Sequence, residues 1–227
     1  MKKRTSLFYT VHQLKPHTRS RGKVLKRFSD RLGFAYLGAM HQHDDEYDAI
    51  RGFTASTSHR DSHYTVGTYE DTNIRIVNRF DIQKRHGKAA SQQAWVVMEF
   101  QLKTTEIPHV FFVPTGKTAG SYARVFTANI HMQPLNSILQ GVNHSPEFYG
   151  RYQILSRPTH SHRIESLLIS PIIFSIGEKL WPHGVEIDGN KLYVYINEED
   201  LTSETLDTAF IASLWLTDEL NLLQIDS

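Results

Sequence analysis

The chain has 227 residues, of which 40% are hydrophobic and 22% charged, and its formal net charge is +1. It contains no cysteine, which excludes disulfides, thiolate nucleophiles, Cys-ligated zinc and iron–sulfur clusters. No apolar run reaches the roughly 20 residues of a membrane span; residues 167–176 come nearest and are interrupted by Pro171. This composition predicts a soluble, cytoplasmic protein without a transmembrane segment.

The balanced total conceals two opposite ends. Residues 1–35 carry ten basic side chains: Lys2, Lys3, Arg4, Lys15, Arg19, Arg21, Lys23, Lys26, Arg27 and Arg31. Asp30 is the one acid among them. Residues 178–227 carry eleven acids against Lys179 and Lys191. Either the basic end meets an anionic partner, or the two ends meet each other.

Taken in chain order, residues 1–21 read as a basic arm with little apolar pattern. They begin MKKRTSLFYT like a signal peptide, but apolar residues 7–11 are too few for its core. Over 22–37, Val24, Leu25, Phe28 and Leu32 share one helical face. Residues 39–63 are polar and predict a loop or short strand. Residues 65–69 and 74–80 then predict a hairpin turning at Glu70-Asp71-Thr72-Asn73. Residues 83–93 read as a polar loop. Residues 95–102 and 110–113 read as strands joined by a turn near Pro108, and 115–150 as irregular.

Beyond these, 152–155 predicts a strand and 164–169 a helix. Ser170-Pro171 reads as an N-cap followed by a first-turn proline, with a helix running to about Leu180. Strands 185–187 and 192–196 flank Asp188-Gly189-Asn190, whose residue types tolerate the positive φ of a tight turn. Thr202 or Ser203 caps a last helix with Leu206, Phe210, Leu214 and Leu220 on one face.

Three stretches carry a family resemblance. They are Phe148-Tyr149-Gly150-Arg151-Tyr152 with Ile154, Leu167-Leu168-Ile169-Ser170-Pro171, and the hairpin over 185–196. Ile50-Arg51-Gly52-Phe53 and Val66-Gly67 with Tyr69 extend them. From about Arg51 onward the chain resembles an uncharacterised bacterial domain of unknown function. The resemblance implies turn, cap and core positions, membrane segments ahead of the domain in relatives, and no catalytic residues.

Several constellations could carry chemistry. His41, His43 and Asp45 form an H-x-H-x-D run, similar to the metal motif of metallo-β-lactamase-like hydrolases. Glu46 stands where that family has a further His, while His59 and His63 could add ligands; the other reading is a solvated acidic loop. His160 and His162 alternate beside a predicted helix and read as exposed. Gly116-Lys117-Thr118 ends like a phosphate-binding loop, but Phe111 stands where the first glycine is required. Tyr64, Tyr69 and Phe80 with Arg75 and Arg79 could stack bases, or form an ordinary core with a basic rim. No G-x-S-x-G or G-x-G-x-x-G is present.

The fold predicted is α+β, with one or two antiparallel sheets built from hairpins and helices packed on one face. Residues 1–21 form the arm and 22–227 one domain, with a subdivision near 115–150 left open. The leading function is a non-enzymatic binding or scaffold protein, its ten basic residues meeting a polyanion or acidic protein surface. The alternative is a metal-dependent hydrolase using His41, His43 and Asp45. No cofactor is called for.

Overall fold

The computed structural model describes residues 15–38, 59–83, 91–104, 107–116, 132–139, 145–197 and 201–223. Nine strands among them form a single antiparallel sheet: β1 (Ala35–Gly38), β2 (His59–Tyr69), β3 (Thr72–Gln83), β4 (Ser91–Gln101), β5 (Ile107–Pro114), β6 (Gln133–Pro134), β7 (Tyr152–Ser156), β8 (Gly184–Gly189) and β9 (Lys191–Asn197). Their order is β1-β2-β3-β4-β9-β8-β5-β7-β6. The helices are α1 (Lys15–Leu32), α2 (Asn136–Leu139), α3 (Pro146–Arg151), α4 (Ser161–Leu167), α5 (Ser170–Phe174) and α6 (Ser203–Leu222). This is the α+β architecture the hairpin signals predict.

The two hairpins form where turn chemistry demands them. Glu70 and Asp71 both take positive φ between β2 and β3, and Gly189 does so at φ 59° between β8 and β9. The β8–β9 hairpin has a consequence the local pattern does not show. It inserts between β4 and β5, pairing Val97 with Tyr195 on one side and Phe112 with Val185 on the other. Residues 95–102 and 110–113 are therefore not neighbours, and Pro108 lies inside β5 rather than in a turn.

The helices lie on one face of the sheet. Strand residues Ile74, Val96, Met98, Phe100, Phe112, Val194 and Ile196 form one core with Leu25, Phe28, Ile164, Ile172, Leu206 and Leu216 of the helices. Phe210 sits at its centre. Its ring meets Phe28 at 5.4 Å, Tyr69 at 5.5 Å, Phe100 at 5.9 Å and Phe34 at 6.2 Å. One side chain thus couples α6 to α1 and to the sheet. Thr202 caps α6, its Oγ1 accepting from the Thr205 amide at 3.0 Å.

Three helix boundaries differ from the sequence expectation. Helix α1 starts at Lys15, so Lys15, Arg19 and Arg21 stand on a helix rather than in an arm. The apolar pattern over 15–21 is weak, and the packing of Leu25 and Phe28 carries the helix back beyond it. Residues 161–167, not 164–169, form α4. At α5, Ile169 holds the extended cap position, Ser170 is already helical, and no side-chain cap bond forms. A π-helical turn over Ser175–Lys179 completes the expected reach to Leu180.

Truncation of Phe210 to alanine is expected to cost about 3–5 kcal/mol, because four rings lose a common partner. Chemical denaturation checks this. A loss below about 1 kcal/mol would show that the ring cluster does not hold α1 and α6 to the sheet.

Candidate functional site

Two regions concentrate polar groups, and their chemistry differs. The first is the sheet face opposite the helices. Its apolar part comprises Tyr64, Val77, Trp95, Val97, Phe111, Val113, Leu155, Tyr193 and Tyr195, all buried. Charged groups are interleaved with them by cross-strand register. Arg79 lies opposite Asp61 and Trp95, Glu99 opposite Arg75 and Tyr193, and Glu186 opposite Tyr193 and Phe111.

Each buried charge has a partner. Arg79, fully buried, donates to Asp61 through Nε at 2.8 Å and Nη2 at 2.7 Å, a bidentate fork. Glu99 accepts from Arg75 at 3.0 Å and from Lys191 at 3.4 Å. Glu186 accepts from His109 Nε2 at 2.7 Å and, on its other oxygen, from the Tyr195 hydroxyl. Burial, reinforced by the Glu186 charge, pushes Tyr195 well above the ordinary phenol range. Burial and the Glu99 and Glu186 charges likewise raise Tyr193. For His109, burial acts downward, but the hydrogen bond to Glu186 and the charges of Glu186 and Asp188 outweigh it and raise the imidazole. Such groups can hold protons in a fixed pattern. With Glu99 and Glu186 both 4% exposed or less, the face is organised as a satisfied interior network.

The second region is the outer side of α1. The helix buries Leu25 and Phe28 and turns Lys23, Lys26, Arg27 and Arg31 outward. Lys26 bridges to Asp30 at 2.7 Å, and Arg31 to Asp207 of α6. Lys23 and Arg27 make no ion pair among the described residues. Arg21 is directed inward; it is 8% exposed, and burial lowers its guanidinium. It lies near His63, which burial and then the Arg21 charge hold below the usual imidazole range. His63 occupies an irregularity in β2 at φ 57°, and its Nδ1 shares a 2.5 Å hydrogen bond with the Tyr36 hydroxyl. Gly22 makes this approach possible, since a Cβ there would stand 2.6 Å from the His63 ring.

The remaining expectations fall as follows. His41, His43 and Asp45 lie outside the described residues, as do Lys2, Lys3 and Arg4. No group of three or more His, Asp or Glu able to hold a metal occurs among the described residues. His160 is half-buried in a short turn and His162 is exposed on α4. Thr115 donates to the carbonyls of Gly150 at 2.5 Å and Arg151 at 3.0 Å, tying β5 to α3. A shallow open depression of about 340 Å³ adjoins it, lined by Val113, Pro114, Asn136, Tyr149 and Gln153. Of the aromatic and basic strand residues, Tyr64 is buried in the core of this face, Tyr69 packs against the helical core, Arg79 is enclosed with Asp61 and Arg75 is paired with Glu99. Sequence reasoning missed Glu99, Glu186 and His109. The alternation of charge with aromatics over 186–195 was the available signal.

No protein-family model matches the chain, and no curated protein is similar to it in sequence. In structure it is similar to the mycobacterial trehalose monomycolate transport factor A, TtfA, with a TM-score of 0.55 and 9% identity. The likeness covers 92% of this chain and 99% of that one. It establishes a shared fold over nearly the whole length. No helix among the described residues is long and apolar enough to cross a membrane.

The His109–Glu186 pair has a definite pH signature. An imidazole raised above its unfolded value stabilises the fold fully below that value, and the contribution is lost as pH rises through the folded one. The stability advantage of the native protein over His109→Gln is therefore expected to shrink over the pH range above about 6.5, the ordinary imidazole value. Paired thermal melts across that range check it. An advantage constant with pH would mean that the pair carries no proton linkage.

Proposed function

We propose that the protein is a non-catalytic binding protein that meets an anionic partner through the outer face of α1. The observation that carries this reading is the pair Lys23 and Arg27. They are exposed one helical turn apart and make no ion pair among the described residues, whereas Lys26 pairs with Asp30 and Arg31 with Asp207. Lys15 and Arg19 precede them at the same four-residue spacing on the helix. Exposed basic side chains one turn apart on a helix attract a polyanion or an acidic protein surface at long range. The similar mycobacterial protein is described as a transport factor, which supports a binding role in class without supplying a ligand.

The distribution of charge along the chain also allows the basic end to pack on the acidic end. Arg31 and Asp207 represent that contact, and it leaves Lys23 and Arg27 available. Full-length protein is expected to be retained on heparin at about 50 mM salt and to elute progressively earlier as salt rises. Lys23→Glu combined with Arg27→Glu should abolish retention while changing stability by no more than about 0.5 kcal/mol, since both side chains are exposed. Wild-type protein passing straight through the column would end the proposal.

A further inference from the structure

Helix α6 is apolar on more than the side it buries. Leu206, Ala209, Phe210, Leu216 and Leu220 face the core. On the opposite side, Ile211 is 66% exposed, Trp215 39% and Leu222 76%. These three stand four and seven residues apart and so line one side of the helix, as an apolar stripe that the exposed Asp218 interrupts between Trp215 and Leu222. Phe174 of α5, 48% exposed, extends the stripe sideways, its ring meeting Trp215 edge-on at 6.2 Å. The outer face of a surface helix is ordinarily polar. Four large exposed apolar side chains on one side of the helical layer, two of them aromatic rings in contact, are the composition of an interaction surface rather than of a solvated one.

The charges around the stripe select among occupants. Glu204 and Asp218 are exposed on the same side of α6, and Glu219 is half-exposed beside them. None of the three has an ion pair among the described residues. Lys179 is held over the Phe174 ring at 5.3 Å. An anionic bilayer would meet three uncompensated carboxylates, which disfavours it. A second copy related by a two-fold axis would bring the same acidic rims together. A basic partner meets neither obstacle, and apolar anchors at four- and seven-residue spacing match an amphipathic helix laid alongside α6. We infer that the Phe174–Ile211–Trp215–Leu222 surface docks a basic amphipathic helix of another protein. This goes beyond the anion-binding role of α1 and uses a different face of the helical layer.

The test uses the full chain and two labelled synthetic peptides of about 18 residues, each designed with one leucine face. One peptide carries lysine on its flanks and the other glutamate. Fluorescence anisotropy is expected to show the lysine peptide binding at least about tenfold more tightly than the glutamate peptide. Ile211→Ser combined with Trp215→Ser should weaken binding at least about tenfold with unchanged circular dichroism, because both side chains are solvent-facing. Asp218→Lys combined with Glu219→Lys should remove the preference for lysine. Lys23→Glu with Arg27→Glu should leave peptide binding unaltered, which separates this surface from α1. The inference is overturned if the lysine peptide does not bind, or if both peptides bind equally. It is also overturned if the Ile211/Trp215 variant binds like wild type. Self-association of the wild type that this variant abolishes would assign the surface to a second copy. Capture on phosphatidylglycerol vesicles that it abolishes would assign the surface to lipid.

Discussion

The organising constraint is a sheet buried on both faces, one of them charged. The described side chains of β4, β9 and β8 are nearly all buried, on the helical side as hydrocarbon and on the other side as hydrocarbon mixed with Glu99 and Glu186, and Arg79 of the neighbouring β3 is buried on that same face. A charge removed from water is tolerated when a partner stands at hydrogen-bond distance. Cross-strand register provides those partners: Arg79 opposite Asp61, Glu99 opposite Arg75, and Glu186 on the strand beside Tyr195 and His109. A one-residue slip of β4 against β3 would move Glu99 to the helical core and separate it from Arg75. The network therefore opposes alternative pairings as well as stabilising the native one, and it ties up the acids and bases that would otherwise suggest catalysis.

That arrangement leaves the outer sides of the helices to the partners proposed above. With one sheet face enclosed as a polar network and the other covered by helices, the unpaired charge and exposed apolar area described above collect on the outer sides of α1, α5 and α6. The sign of charge differs between them. Lys23 and Arg27 project from α1, whereas Glu204, Asp218 and Glu219 lie on α6. The Phe28–Phe210 contact and the Arg31–Asp207 bridge hold the two helices side by side. Opposite charge at the two ends of the chain thus becomes two surfaces of one layer, joined through a shared aromatic cluster.

Much of the architecture was legible in the sequence. Alternating strands, the Glu70-Asp71 and Asp188-Gly189-Asn190 turns and the Thr202 cap are local signals, and each produces its element. Strand order was not legible, because inserting β8–β9 between β4 and β5 depends on which hydrophobic faces meet in three dimensions. The start of α1 lies ahead of its apolar pattern because its first turns gain stability from tertiary packing rather than from propensity. For the site, the sequence marked Arg75 and Arg79 as basic strand residues but not their burial. Period-two alternation distinguishes the faces of a strand without revealing that both are enclosed. Glu99 and Glu186 carry no local signal of their burial, which follows from the strands placed on either side of them.

The central claim is that the outer side of the helical layer meets the partner while the acid–base groups of the opposite sheet face maintain the fold. Hydrogen–deuterium exchange of the full chain, with and without a defined heparin fragment, addresses both halves at once. The account predicts slowed exchange over α1 and no change in β5, β8 or β9. Slowed exchange confined to the strands carrying His109, Glu186 and Tyr195, with α1 unchanged, would contradict it.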